Sequence, residues 1–280
     1  MAKRWLFLRG ELDENNRKNI LADTDMWYQL FQELSKDDKM ELWFKHNVPM
    51  HDRYDYIFAR GGFDYYNPIL KQFPKAYKIY YGAGKRIVPD GKIKYNLVLV
   101  DTEAQKQKVI DKFPMAHVET WFKPAANHFK PMPEVEKKYD VCYVANCHSK
   151  FQEKIKRVKW VYKTAPKDLK ILHLGQSSRK PPSNIKVKQV TLKEMPKYIN
   201  QCNAVIVPYK KYDSAPRVIT ESINCGVRPY VMNGVNTNSC LTFKKENIWE
   251  AIRVKHFVQM IEPVGVDFSA EHIKNLIGKI

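Results

Sequence analysis

Short apolar runs closed by turn residues alternate with stretches of helical spacing along the whole chain. Runs this short and this rich in Val, Ile, Leu and Tyr predict strands buried on both faces rather than helices. In the first half the predicted strands are Trp5–Leu8, Glu41–Phe44, Tyr54–Ala59, Lys78–Tyr81, Leu97–Val100 and Val118–Phe122. Between them, Met26–Leu34 has the apolar spacing of a helix, with Asp23, Thr24 or Asp25 available as its cap. A second helix is predicted at Glu103–Phe113, after Asp101-Thr102. Several strands run out into glycines: Gly10, Gly61-Gly62 and Gly82-Ala83-Gly84.

The stretch Lys130-Pro131-Met132-Pro133 reads as a linker, and a second series follows it. Its strands are Tyr139–Ala145, Lys170–Leu174, Ala204–Pro208 and Pro229–Met232, and its helices Lys150–Tyr162, Leu192–Asn200 and Pro216–Asn224. Alternating βα units predict parallel sheets covered by helices. The expected fold is therefore α/β, with two Rossmann-like domains at 1–133 and 134–280 and the last helix packing back on the first domain. In such sheets ligands gather at the carboxyl ends of the strands, so those loops are where chemistry is sought.

Composition narrows the picture. With 44% hydrophobic and 12% aromatic residues the chain has ample material for a core, which excludes wholesale disorder. No apolar run reaches the roughly 18 residues of a membrane span. The apolar start before Arg9 is too short for a signal peptide. Five cysteines, an odd number without a CxxC pair, suit a reducing compartment, and the expected location is the cytoplasm. Neither His46 and His51 nor Cys142, Cys147 and His148 make a recognisable metal set, so no metal is expected.

The net charge of +18 changes more: it calls for an anionic partner, whether nucleic acid, an anionic membrane surface or a phosphorylated substrate. Residues 1–133 carry a net +5 and residues 134–280 a net +13, while the first 59 residues are slightly acidic.

The segment AVIVPYKKYDSAPRVITESINCGVRPYV, residues 204–231, carries the candidate chemistry. A buried strand leads to Asp213, and Pro216 opens a helix at a position where its missing N–H costs nothing. Glu221 follows on that helix, which Gly226 closes. Two acids so spaced form a clamp for a polyhydroxylated ligand, one carboxylate accepting from sugar hydroxyls and the other from ribose. A pyrophosphate would lie between them against the free N–H groups of the helix start, which Ser214, Ala215, Pro216, Arg217 and Val218 surround.

Asp213-x7-Glu221, followed by Ser-Ile-Asn-Cys-Gly-Val-Arg-Pro-Tyr-Val, resembles the E-x7-E signature of retaining family-4-type glycosyltransferases of the GT-B fold. The sequence departs from it in having Asp for the first Glu and Arg228 before Pro229. Leu97–Pro131 is similar to the end of that family's first domain, and Tyr139–Asn146 and Leu169–Gln176 to the first two strands of its donor domain. The resemblance implies two domains facing each other across a cleft, a nucleotide-sugar donor (a UDP-sugar by preference) and no required cofactor. It implies a phosphate-neutralising role for Lys150 or Lys154, with Asn146 standing near the family's Arg; the lysines of 150–159 are equally a solvated helix face. Arg217 is a third phosphate candidate, Gly10 resembles the family's first glycine loop, and Gly175 closes the second donor strand. It implies retention of configuration, with the departing phosphate taking the acceptor proton. An inverting enzyme would need a base in the first half, and Asp64 is one option.

For the acceptor, Arg60-Gly61-Gly62-Phe63-Asp64-Tyr65-Tyr66 and Gly82-Ala83-Gly84-Lys85-Arg86 place Arg60, Asp64, Lys85 and Arg86 among aromatics at strand ends. Cations for phosphates and rings for an unstacked base compose a nucleic-acid surface. In compactness and basicity the chain resembles the bacteriophage glycosyltransferases that modify hydroxymethylated pyrimidines in DNA. A cell-envelope lipid or polysaccharide, reached through peripheral membrane contact, stands as an alternative acceptor. A catalytically lapsed nucleic-acid-binding protein is the alternative of another class.

Overall fold

A computed structural model describes residues 2–9, 24–43, 49–61, 64–82, 87–121, 123–147, 149–209, 216–233, 242–255 and 263–278. The chain divides into two compact units, Met1–Lys123 with Val266–Ile280, and Pro124–Gly265.

Among the described residues of the first unit, six parallel strands form one sheet: β1 (Arg4–Leu8), β2 (Lys39–Trp43), β3 (Tyr56–Arg60), β4 (Tyr77–Tyr81), β5 (Leu97–Val100) and β6 (Val118–Thr120), in the order β2-β1-β3-β4-β5-β6. Helix α1 (Met26–Leu34) is capped by Asp25, whose carboxylate accepts from the N–H of Tyr28. Its apolar face, with Trp27, Leu30 and Phe31, is fully covered, Phe31 stacking on Phe7 of β1. A 3-10 turn at Asp64–Tyr66 runs into the short α2 (Asn67–Gln72). Helix α3 (Glu103–Lys112) starts at Thr102, which accepts from Gln105 N–H, while the Gln105 amide oxygen reaches back to the N–H of Asp101.

The second unit repeats the plan with β7 (Tyr139–Val144), β8 (Ile171–Leu174), β9 (Ile185–Lys188), β10 (Cys202–Val207), β11 (Arg228–Met232) and β12 (Thr242–Phe243), all parallel, in the order β12-β11-β10-β7-β8-β9. The one long helix predicted at Lys150–Tyr162 is two: α4 (Lys150–Lys156) and α5 (Val158–Thr164), broken at Arg157, which has φ 60°. The break has a tertiary cause, since the hydroxyl of buried Tyr143 takes the carbonyl of Lys156 at 2.8 Å. Among the described residues the unit also holds helices α6 (Met195–Asn200), α7 (Arg217–Asn224) and α8 (Ile248–Arg253). The last helix, α9 (Val266–Gly278), belongs to the first unit and packs on α1, with Lys274 Nζ donating to the carbonyl of Glu33.

Candidate functional site

Each sheet reverses its strand order once, and a parallel sheet opens a crevice at that reversal, beyond the carboxyl ends of the strands. In the second unit the reversal lies between β7, which leads to β8 and β9, and β10, which leads to β11 and β12. There the hydroxyl of Tyr209, just past β10, donates to the carbonyl of Val144 at the end of β7, and Lys156 Nζ lies 3.7 Å from the centroid of the Tyr209 ring. Lys156 and Tyr209 are functional-site candidates that sequence reading missed, because nothing in the spacing links residues 53 positions apart.

Helix α7 follows this crevice. From Val218 to Asn224 every residue is buried, so the helix is set inside the unit rather than on its surface. Glu221 is 6% exposed on it. An ionised carboxylate is costly to bury unless it is partnered, so this position is not part of a solvated helix face. Pro216 and Val218 are buried and Arg217 is exposed at the first position. The C-terminus closes with Gly226 in the left-handed region (φ 71°), its N–H donating to the carbonyl of Ile223. Asp213, Ser214 and Ala215 lie outside the described residues.

The crevice floor is held by an unusually close approach. Gly175, past the end of β8, has φ 131°, and a Cβ there would stand 2.4 Å from the carbonyl oxygen of Ala145. Glycine is required on both counts. Asn146, next to that contact, is exposed. His173, fully buried beneath, binds the same Ala145 carbonyl. Lys150 and Lys154 are exposed on α4; Lys150 lines a depression with Lys159, Lys163, Arg179 and Lys180, which Pro216, Arg217, Val218 and Glu221 do not enter.

In the first unit the reversal lies between β1 and β3. Arg9 leaves β1 there and Arg60 ends β3. The Arg9 guanidinium pairs with Asp25 at 3.1 Å, its side chain 3% exposed, and its Nε and Nη1 are buried without a hydrogen-bond partner among the described residues. Burial, helped by the neighbouring Arg60 charge, brings Arg9 down to about 10, so it keeps its charge at neutral pH. The Arg60 guanidinium covers the face of Trp27 at 4.8 Å, and Trp27, Tyr81 and Trp121 pack together below it. Beyond β5, Asp101 accepts from the Tyr81 hydroxyl at 2.6 Å and lies 3.7 Å from Lys123 Nζ. The strand ends thus gather three cations, two carboxylates and a buried aromatic trio. Arg60 was expected; Arg9, Lys123, Asp25, Asp101 and the aromatics come together only through the strand order.

Asp64 stands apart from this cluster. Its side chain is 87% exposed, with Lys92 Nζ at 3.9 Å. Gly10, Lys85 and Arg86 lie outside the described residues. Among the described residues no group of three His, Cys, Asp or Glu side chains could hold a metal, and no helix is long and apolar enough to cross a membrane.

With both sheets in view, the architecture is that of the GT-B glycosyltransferases, two parallel six-stranded sheets each flanked by helices. Among solved structures, a DNA-modifying β-glucosyltransferase aligns with a TM-score of 0.58 at 12% identity, over 91% of this chain and 89% of that one. HepE from Anabaena, solved with UDP and glucose, aligns with a TM-score of 0.59 at 11% identity over 100% of both chains. A UDP-GlcNAc 2-epimerase from Methanocaldococcus jannaschii reaches 0.55 at 11%, over 99% of this chain and 100% of its own. At these identities the likeness establishes the fold. No protein-family model matches the sequence, and neither does any curated protein.

Proposed function

We propose that the chain is a glycosyltransferase that moves a sugar from a nucleotide-sugar donor, a UDP-sugar, to 5-hydroxymethylated pyrimidines in DNA. The observation that carries the reading is Glu221, a carboxylate buried on the helix that follows the strand-order reversal of the second sheet. In that role Glu221 accepts from the ribose hydroxyls and Asp213 from the donor sugar. Arg217, Lys150 and Lys154 are the candidates to offset pyrophosphate charge, with the backbone from Ser214 to Val218 beside it and Asn146 and Gly175 shaping the adjoining strand ends. Breaking the anomeric C–O bond leaves that charge on the nucleoside diphosphate, so cations and N–H donors there stabilise the transition state.

The first unit takes the acceptor. Arg60, Lys85 and Arg86 supply phosphate contacts, Asp64 is a further acceptor-side candidate apart from Arg60, and Gly10 is a candidate for the loop that donor and acceptor approach. The charged cluster of Arg9 and Lys123 supports the same assignment. The fold of a DNA-modifying β-glucosyltransferase is compatible with this acceptor, and the basic charge favours a polyanion. The transfer is read as retaining: the acceptor oxygen forms the new bond to the anomeric carbon on the face the phosphate leaves, and the departing phosphate takes the proton. Asp101 gives one specific reason to weigh inversion, since it is a buried carboxylate beyond a strand end of the first sheet. No resident cofactor is needed for either route, and the chain is placed in the cytoplasm.

The test is incubation with a panel of nucleotide-sugars and duplex DNA containing 5-hydroxymethylcytosine or 5-hydroxymethyluracil, followed by nucleoside mass spectrometry. A hexose or pentose increment on the base is the expected result, and NMR of that nucleoside then assigns the anomer. Turnover of a donor without any increment on DNA moves the acceptor to an envelope glycan. Absence of turnover with every donor overturns the transferase.

A further inference from the structure

Glu153, buried on α4, accepts from the hydroxyl of Ser177 at 2.7 Å and from the N–H and hydroxyl of Ser178 at 2.8 and 2.9 Å. It also pairs with Arg179 Nε at 3.2 Å. These bonds tie the loop that leaves β8 to the helical pair α4–α5. An open depression of ≈ 730 Å³ lies between them, and Lys150, Lys159, Lys163, Arg179 and Lys180 stand around Glu153 in its wall. Glu153 is already engaged with Arg179 and the serines. Among the described residues, no carboxylate pairs with Lys150, Lys159, Lys163 or Lys180.

Such an arrangement leaves positive charge uncompensated along the wall. Lys159 and Lys163 sit one turn apart on α5, about 6 Å along its axis, where like charges repel. A counter-anion relieves that repulsion, and the row of lysines asks for several negative charges rather than one. Small-molecule sites hold a few polar groups in a mostly apolar lining, whereas this wall carries four lysines and an arginine around one carboxylate. A nucleic acid strand presents a charge about every 3.4 Å of duplex axis, so cations one turn apart match roughly every second phosphate. Phe151, next to Lys150 on α4 but outside the lining of the depression, is 63% exposed. One such ring can stack on a base, whereas docking in a bilayer takes a whole apolar helix face.

The geometry points to a phosphate-backbone groove for nucleic acid on the α4–α5 flank of the second unit, sharing only Lys150 with the groups proposed for the donor. Its use in catalysis rests on the reading that the acceptor is DNA, but its binding is measurable without turnover.

The test compares the wild-type chain, the triple variant K159Q/K163Q/K180Q and the triple variant K159R/K163R/K180R. Anisotropy of a fluorescein-labelled, unmodified duplex of about 20 base pairs, long enough to span several phosphate contacts, is followed across salt. The expected result is a Gln triple whose log–log salt slope is smaller by about 2–3, each lost phosphate contact removing about 0.9. The Arg triple should keep the wild-type slope, and all three should melt alike. An unchanged slope in the Gln triple overturns the groove. So does failure of the wild-type chain to bind DNA, or a Gln triple that loses only its binding to phosphatidylserine vesicles. A slope that falls as expected, on DNA that no donor glycosylates, supports the groove and removes the DNA-transferase reading alone.

Discussion

The Nε2 of His173 lies 2.8 Å from the carbonyl oxygen of Ala145, and its Nδ1 2.7 Å from the hydroxyl of Tyr162. A carbonyl only accepts, so Nε2 carries the proton and Nδ1 accepts from the tyrosine. The fully buried ring is thereby fixed as one neutral tautomer, and it holds the strand end that leads to Asn146. Burial lowers its pKa below the ordinary 6.5, only partly opposed by the Ala145 bond. His128 is shifted the same way by burial, against its bond to the Leu192 carbonyl.

The sign of the pH dependence follows. Below about pH 6.5 the unfolded chain takes up protons that these folded histidines resist, so protons favour unfolding. Stability should be full above that value and decline as pH falls below it. Calorimetric melts across this range should show the decline, and His173→Asn should make it shallower. His173→Ala should cost about 3 kcal/mol at neutral pH, because Tyr162 and the Ala145 carbonyl lose a buried partner. A pH-independent melt of the wild-type chain would refute the assignment.

Gly175 and Gly226 both have positive φ, yet their substitution should differ sharply. At Gly226 (φ 71°) an added Cβ meets only the Pro131 ring, at 3.7 Å, so Gly226→Ala carries the left-handed cost alone, about 1–2 kcal/mol. At Gly175 the Cβ would stand 2.4 Å from backbone oxygen that cannot give way cheaply. Gly175→Ala should therefore cost more than about 3 kcal/mol, combining strain with overlap. Urea titration of the two variants checks the ranking. Equal losses would mean that the Ala145 segment moves freely.

Much of this architecture was written in local pattern. Met26–Leu34 and Leu97–Val100 coincide with their expected bounds, because apolar spacing and the caps Asp25 and Thr102 are local signals. The break at Arg157 was invisible, since residues 150–162 are good helix formers and the hydroxyl that interrupts them comes from β7. Strand β9, Ile-Lys-Val-Lys, looks polar because it is a sheet edge with only Ile185 buried. Of the candidate site, Glu221 was legible from its surroundings in sequence. Arg9, Trp27, Asp101 and Lys123 were not, because only the sheet order of the first unit brings together the ends of β1, β3, β4, β5 and β6.

Arg60 supplies a test of the acceptor side. Its guanidinium rests on Trp27 at 4.8 Å, a contact worth about 0.5–1 kcal/mol at an accessible site, so Arg60→Ala should fold with a small loss of stability. In steady-state assays with hydroxymethylated DNA, kcat/KM for DNA should drop by about tenfold or more, the loss of one charge-assisted contact. The Kd for the nucleotide-sugar, from calorimetric titration without DNA, should stay at its wild-type value. A weakened donor Kd would move Arg60 out of the acceptor role.

Glu221 decides the donor side. Glu221→Gln keeps the volume of a residue buried on α7 while removing its charge, and Glu221→Ala removes the whole group. If the carboxylate accepts from ribose hydroxyls, Gln retains one acceptor oxygen and should weaken the nucleotide-sugar by about 1.5–3 kcal/mol, the worth of a charged hydrogen bond. Ala should abolish measurable donor binding. Both variants should still unfold cooperatively, because the helix is anchored by Val218, Ile219 and Ile223 rather than by the acid. The neighbouring Cys225 offers an independent readout. Burial, with the Glu221 charge beside it, pushes this thiol up to about 12. Without that charge the thiol should ionise at lower pH in the folded protein, seen as faster alkylation of Cys225 in the Gln variant under native conditions at alkaline pH. Wild-type turnover in Glu221→Ala, with its melt unchanged, would remove Glu221 from the donor site and with it the observation on which the transferase reading rests.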